Sequence, residues 1–127
     1  VDGVPFFDGA LGDPVPIEKA FELGCDRVIL LLTRPESEKR RPDKDEALAH
    51  IIERKYPLAA KNLYLRAKRY NDGVELAQKL REEGKALILA PDDTCGVDTL
   101  TKDREKKMLL WQKGYDDAEK AFEFAKG

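Results

Sequence analysis

Arg27-Val28-Ile29-Leu30-Leu31-Leu32-Thr33 is a continuous aliphatic run with no polar alternation, and it decides the fold class. Such a run reads as a strand buried on both faces, as in a parallel sheet. A helix is expected before it, from Pro16 to about Leu23, where Ile17, Ala20 and Phe21 share a face and Gly24 ends the pattern. Upstream again, Asp2-Gly3 reads as a hairpin turn, with Val4 to Phe7 as the second strand of that hairpin and Asp8 at its end. Strand, helix, strand in this order predicts a βαβ-type unit and an α/β chain. Lys85 to Ala90 is a second aliphatic run and predicts a further buried strand that stops at Pro91.

The remaining segments read as helix and loop. Thr33 to Asp45 is a charged loop carrying Pro35 and Pro42, and helix signal resumes near Lys44. There Leu48, Ile51, Ile52 and Lys55 share a face, and Pro57 ends the segment. From Leu58, the spacing of Leu63, Ala67 and Tyr70 predicts another helix. Asp72 and Glu75 read as a capping pair that starts a separate helix ending at Gly84. After an irregular stretch from Pro91 to Leu100, Thr101 reads as the N-cap of a helix reaching Gly114. A last helix, Tyr115 to Lys126, would place Tyr115, Ala118, Phe122 and Ala125 on one face. No internal repeat and no low-complexity segment is present.

Composition bounds the function. The chain has 127 residues, one domain's worth, and its 42% hydrophobic content is enough for a core. A net charge of -2 gives no general pull toward nucleic acid, so no nucleic-acid partner is expected. No apolar run approaches the roughly 18 residues of a membrane span. Cys25 and Cys95 lack CxxC spacing and read as free thiols in a reducing compartment. No His, Cys or acidic cluster has metal-ligand spacing, and no metal or other cofactor is expected. His50 falls off the apolar face of its helix and reads as a solvent-side histidine. The chain begins at Val1 rather than Met, so its natural N-terminus is expected to be missing.

Phe6-Phe7-Asp8-Gly9-Ala10-Leu11-Gly12-Asp13-Pro14-Val15-Pro16 carries the functional signal. A carboxylate delivered at the end of a strand, beside a flexible Gly, is placed to act as a general base. This block resembles the Asp-Gly-Gly/Ala … Asp-Pro-Ile/Val-Pro block of patatin-like phospholipases. Further along, Leu32-Thr33-Arg34-Pro35, Arg54-Lys55-Tyr56-Pro57, Tyr70-Asn71, Leu100-Thr101-Lys102-Asp103 and Gly114-Tyr115-Asp116-Asp117-Ala118 are similar to a bacterial branch of that family with a C-terminal extension. Ala10 and Cys95-Gly96 depart from the branch's pattern. The resemblance implies a three-layer α/β/α sheet, here only its C-terminal strands, over residues 1–35. It implies a helix-rich extension over 36–127 containing one further strand at about 85–90.

The resemblance also implies a reaction. In the family a Ser attacks an acyl ester carbonyl and an Asp takes its proton with no His between them. That role falls on Asp8, with Gly9, Ala10, Asp13 and Pro14 supporting the motif and Asp13 itself a structural turn residue bonded to backbone N–H groups. No G-x-S-x-G elbow occurs here, and the only serine, Ser37, lies between Glu36 and Glu38. The chain therefore reads as an inactive C-terminal fragment of a cytoplasmic lipid acyl hydrolase, with peripheral membrane contact and self-association of the fragment through an exposed sheet edge or face. Two other readings stand beside it. One is a non-enzymatic α/β interaction module in which Asp8-Gly9-Ala10 is only a turn. The other is an anionic-surface binding module using Arg54, Lys55, Lys61, Arg66, Lys68 and Arg69, six bases with no acid among them from Arg54 to Tyr70. A solvated helix face balanced by acids such as Asp43, Asp45 and Glu46 is the favoured account of those bases.

Overall fold

The structure, a computed structural model, describes residues 2–4 and 6–126. Val1 and Pro5, which belong to the expected hairpin, and the terminal Gly127 lie outside the described residues. The elements in chain order are a 3-10 turn Gly9–Leu11, α1 (Ile17–Glu22), β1 (Val28–Leu31), α2 (Asp43–Ile52), α3 (Pro57–Glu82), β2 (Ala86–Leu89) and α4 (Arg104–Lys126). The chain is mixed α/β and mostly helical.

Both strands arise in the same way. α1 ends at Gly24 with φ +91°, and α3 ends past Gly84 with φ +72°. At the first end Gly24 N–H donates to Phe21 and Cys25 N–H to Ala20; at the second Gly84 donates to Arg81 and Lys85 to Leu80. These are Schellman closures, in which a left-handed residue lets the last carbonyls of the helix find donors. Each closure turns the chain directly into a strand. β1 and β2 pair in parallel, Val28 opposite Ala86 through Leu31 opposite Leu89.

One sheet face is covered by α3. Val28, Leu30 and Ile88 join Val15, Ile17, Val74 and Ala77 in one apolar cluster. The expectation of strands buried on both faces is corrected here: Ile29 is 41% and Leu31 71% exposed. α4 lies against that second face, yet a crevice of about 460 Å3 separates Leu31 and Leu89 from Leu110, Gly114, Ala118 and Ala121. The Arg27 guanidinium donates to the Phe124 carbonyl and sits over its ring, and Lys113 bridges Asp92 and Asp93. α4 therefore runs back along the sheet, from the end of β2 to the start of β1. The Lys113 ammonium and neighbouring backbone N–H groups hold both carboxylates below their ordinary range, and those carboxylates raise Lys113 in turn.

Several boundaries differ from the sequence expectations. Val4, Phe6 and Phe7 lie in irregular backbone, not in a strand, although Asp2 (φ +50°) and Gly3 (φ +77°) form the expected left-handed turn. Pro16 precedes α1 as its N-cap, so the helix starts one residue later. α2 buries Asp45 and Ala49 while Leu48 and Ile51 are exposed, so its inner face is rotated from the expected one. α3 is one helix of 26 residues, about 39 Å long, and no new helix starts at Asp72. The Asp72 carboxylate is taken by Lys68, one turn back, instead of capping. α4 likewise continues through Gly114, and its N-cap is Asp103, which accepts from Glu105 and Lys106; Thr101 bonds Asp98 instead. Its sheet side carries Leu110 and the small residues Gly114, Ala118 and Ala121, while Trp111, Tyr115 and Phe122 are exposed.

α3 tolerates Gly73 in its interior because the chain crosses there. A Cβ at Gly73 would stand 2.7 Å from Val15 Cβ and 3.3 Å from the Val15 carbonyl oxygen. Gly114 in α4 has no atom within 4 Å of the same construction. Replacing Gly by Ala in an open helix stabilises by up to about 1 kcal/mol, whereas overpacking costs about 1–3 kcal/mol. Denaturant unfolding of the two variants should therefore split: Gly114→Ala more stable than wild type, Gly73→Ala less stable. Equal shifts would contradict the crossing.

Candidate functional site

Asp8 sits where irregular backbone becomes the 3-10 turn. Its φ of -57° and ψ of 137° are extended, and its Oδ1 accepts from Ala10 N–H at 2.8 Å. Leu11 N–H then donates to the Asp8 carbonyl at 3.0 Å, and Gly12 and Asp13 N–H groups both donate to the Gly9 carbonyl. The turn is thus closed by its own backbone. Gly9 and Ala10 are exposed, and a Cβ at Gly9 would meet nothing within 4 Å.

Two contacts fasten this turn to α3. Leu11 is buried against Ala49, Ala59, Ala60 and Leu63. The Arg69 guanidinium donates to the Gly12 carbonyl at 2.7 Å and to Asn62 at 3.0 Å. Past Pro14, Val15 closes onto Gly73. Asp13 is exposed, and among the described residues its side chain takes no backbone N–H; it borders a hollow with Arg69 and Asp72. The expected bonding of its carboxylate to backbone N–H groups is not what is found.

A groove of about 510 Å3 opens beside Asp8. Phe7, Leu11, Tyr56, Pro57, Leu58 and Ala59 give it apolar walls, with Lys55 and Asn62 at its margin. The Phe7 and Tyr56 rings meet edge to face at 5.4 Å, and the Lys55 ammonium lies 5.2 Å from the centre of the Tyr56 ring. The Asp8 carboxylate is solvent-exposed at this apolar wall. Ser37 is exposed in the loop before α2 and borders a different hollow, with Tyr70 and Asn71.

The six bases from Arg54 to Arg69 separate into two groups. Arg66 and Arg40 share the buried Asp45, at 2.9 and 3.1 Å; Lys68 pairs with Asp72; Arg69 holds Gly12. These three of the six are spent on the fold. Arg54, Lys55 and Lys61 are exposed and form no ion pair among the described residues. Arg40 is further fixed by Asn71, whose amide accepts from the Arg40 N–H and donates to its carbonyl. His50 is exposed, with Nδ1 3.0 Å from the Tyr64 hydroxyl. Among the described residues no group of three His, Cys, Asp or Glu side chains could hold a metal ion. Both cysteines are free.

Residues 56–125, which span α3, β2 and α4, match the family described as Domain of unknown function (DUF6363). The chain belongs to this family. The DUF6363 match starts at Tyr56, so it includes Tyr56, Leu58 and Ala59 of the groove but not Asp8. No curated protein and no solved structure matches the chain.

The sequence singled out Asp8 but not its groove. Arg54-Lys55-Tyr56-Pro57 stood out as part of a pattern and, in Arg54 and Lys55, as candidate anionic-surface bases; that Lys55, Tyr56 and Pro57 face Asp8 depends on the α2–α3 corner meeting the turn, a contact between residues about 50 positions apart. Asp45 was read as one solvated acid among three, and its burial follows from the rotation of α2. Removing one partner of a buried ion pair costs about 3–5 kcal/mol, while exposed surface changes stay within about 0.5 kcal/mol. Asp45→Ala, which leaves Arg40 and Arg66 without their acid, should lower unfolding free energy by about 2 kcal/mol or more given the partial exposure of the two arginines. Lys61→Ala should leave it unchanged. Similar losses in both would place Lys61 in the fold as well.

Proposed function

We propose that this chain is the C-terminal part of a patatin-like serine acyl hydrolase and supplies the aspartate of its Ser–Asp dyad. The observation that carries the reading is the exposed Asp8 carboxylate, aimed by the Ala10 N–H through one oxygen, at the wall of an apolar groove. The Ala10 N–H bond to one oxygen fixes the direction of the carboxylate and leaves the other oxygen open, as a base requires. An acyl chain suits walls made by Phe7, Leu11, Tyr56 and Leu58.

The chemistry would run as follows. A serine from the part of the protein that precedes this chain attacks the ester carbonyl while Asp8 takes the hydroxyl proton. The tetrahedral oxyanion collapses, the C–O bond to the alcohol breaks, and the proton goes to that leaving oxygen. Water then attacks the acyl-serine, giving up a proton to Asp8; the bond between the acyl carbon and the serine oxygen breaks, Asp8 returns that proton to the serine oxygen, and the fatty acid is released. In this reading β1 and β2 belong to a larger three-layer α/β/α sheet. The open face at Ile29 and Leu31 supports that, and self-association of the chain by itself would follow from it. The setting would be cytoplasmic, at a membrane surface. No cofactor is needed.

A second reading has its own observation. The Ala10 N–H to Asp8 bond is also an Asx turn, which caps the 3-10 segment and needs no catalysis. Ester hydrolysis by the intact protein separates the two. Asp8→Asn keeps the turn's acceptor but removes the base, and losing a general base lowers turnover by about 10²–10⁴. Asp13→Asn and Asp2→Asn should keep near-normal turnover. A loss confined to Asp8→Asn, with thermal stability retained, is the expected result; unchanged turnover would leave the Asx turn as Asp8's whole role.

A further inference from the structure

We infer that the α2–α3 corner is a docking surface for an anionic phospholipid interface. Its apolar contacts are Ile51, 79% exposed, and Leu58, 78% exposed. Its cations are Arg54, Lys55 and Lys61.

The placement follows from the backbone. Glu53 keeps helical geometry past α2, with φ -57° and ψ -35°, and its N–H donates to the Ala49 carbonyl. Ile51, Arg54 and Lys55 are therefore three and four residues apart around one turn. Lys55 and Tyr56 N–H groups both return to the Ile52 carbonyl, which ends that turn and starts α3 at Pro57. Leu58 and Lys61 then stand three apart on the first turn of α3. Lys55 and Leu58 also border the groove beside Asp8.

Charge decides the partner. Of the six bases on this stretch, the fold uses Arg66, Lys68 and Arg69 in Asp45, Asp72 and Gly12 contacts. Arg54, Lys55 and Lys61 are the ones left without an ion pair among the described residues, and each lies three or four positions along the chain from Ile51 or Leu58. Glu53, the acid in their midst, accepts from the Tyr64 hydroxyl at 3.3 Å and borders a hollow with Lys61, so three cations stand against one acid at the corner. Two large exposed aliphatic side chains with long cations one helical turn away match a bilayer surface: the aliphatics enter the acyl boundary and the ammonium and guanidinium groups meet phosphates. No helix among the described residues is long and apolar enough to cross a membrane, so the contact is one of lying on the surface. The inference builds on the lipid acyl reading of Asp8, because docking by this corner would bring the bilayer to the mouth of the groove.

The test is vesicle co-sedimentation of the 127-residue chain, which requires no turnover. Each Lys or Arg near an anionic surface contributes about fivefold in affinity. The chain should bind phosphatidylglycerol-containing vesicles, release with added salt, and bind pure phosphatidylcholine weakly. Arg54→Ala/Lys55→Ala/Lys61→Ala together should weaken binding on the order of a hundredfold. Ile51→Asp/Leu58→Asp should abolish it, and Lys68→Ala should leave it unchanged. Equal binding to both vesicle types, no binding, or binding indifferent to Ile51 and Leu58 would overturn the inference. So would a preference for single-stranded RNA over vesicles. Vesicle binding in a protein whose Asp8→Asn variant retains turnover would sink only the catalytic reading; hydrolysis without vesicle binding would sink only this one.

Discussion

The close approach of Val15 to Gly73 is the contact on which the arrangement depends. At Gly73 another segment's backbone comes so close to α3 that a Cβ would not fit, and the position has none. There the segment from Asp13 to Pro16 crosses the helix and splits the interior in two. On one side Leu11 sits with Ala49, Ala59, Ala60 and Leu63; on the other Val15 and Ile17 sit with Val74, Ala77 and Ile88. The first cluster holds the Asp8 turn against the α2–α3 corner, and the second holds the sheet. A side chain at position 73 would lift the crossing segment from both.

Electrostatics follow the same division. The loop from Glu36 to Arg40 is strapped along α3 by Gln78 and Arg81 on Glu36, by Lys39 on Glu75 and by Asn71 on Arg40. Burial pushes the Glu36 carboxyl up, but the Arg81 and Gln78 bonds outweigh it and its pKa is lowered. Asp45, buried with Arg40 and Arg66, closes this network at α2. Of the six bases from Arg54 to Arg69, the three that the fold engages thus lie further along α3, and the three without an ion pair among the described residues lie at the corner beside the groove. A polar network that is satisfied internally and a basic corner that is not have different physical roles, although the sequence presents them as one run of bases.

Much of the fold was legible in the residues. The aliphatic runs at Val28 and Ala86 specified two strands, and Gly24 and Gly84 specified how the preceding helices end, because only a left-handed residue closes those carbonyls. What was misread has local causes. Asp72 before Gly73 looks like a helix start, but the glycine serves a crossing that sequence spacing does not reveal. Gly114 looks like a helix stop, yet α4 passes through it because small residues at 114, 118 and 121 let the helix lie near the sheet. The face of α2 was misjudged because a buried carboxylate, Asp45, replaces an aliphatic residue. Asp8 stands out by its motif and the groove does not, since the groove is built by a tertiary contact.

The central claim is that Asp8 activates a serine carried elsewhere in the same protein. Labelling of the intact protein with a serine-directed fluorophosphonate reads that activation in one chemical step, without reference to the natural ester. The account predicts one labelled serine, modified at least about a hundredfold more slowly in Asp8→Asn than in wild type. A serine labelled equally fast in both proteins, or none labelled at all, would contradict it.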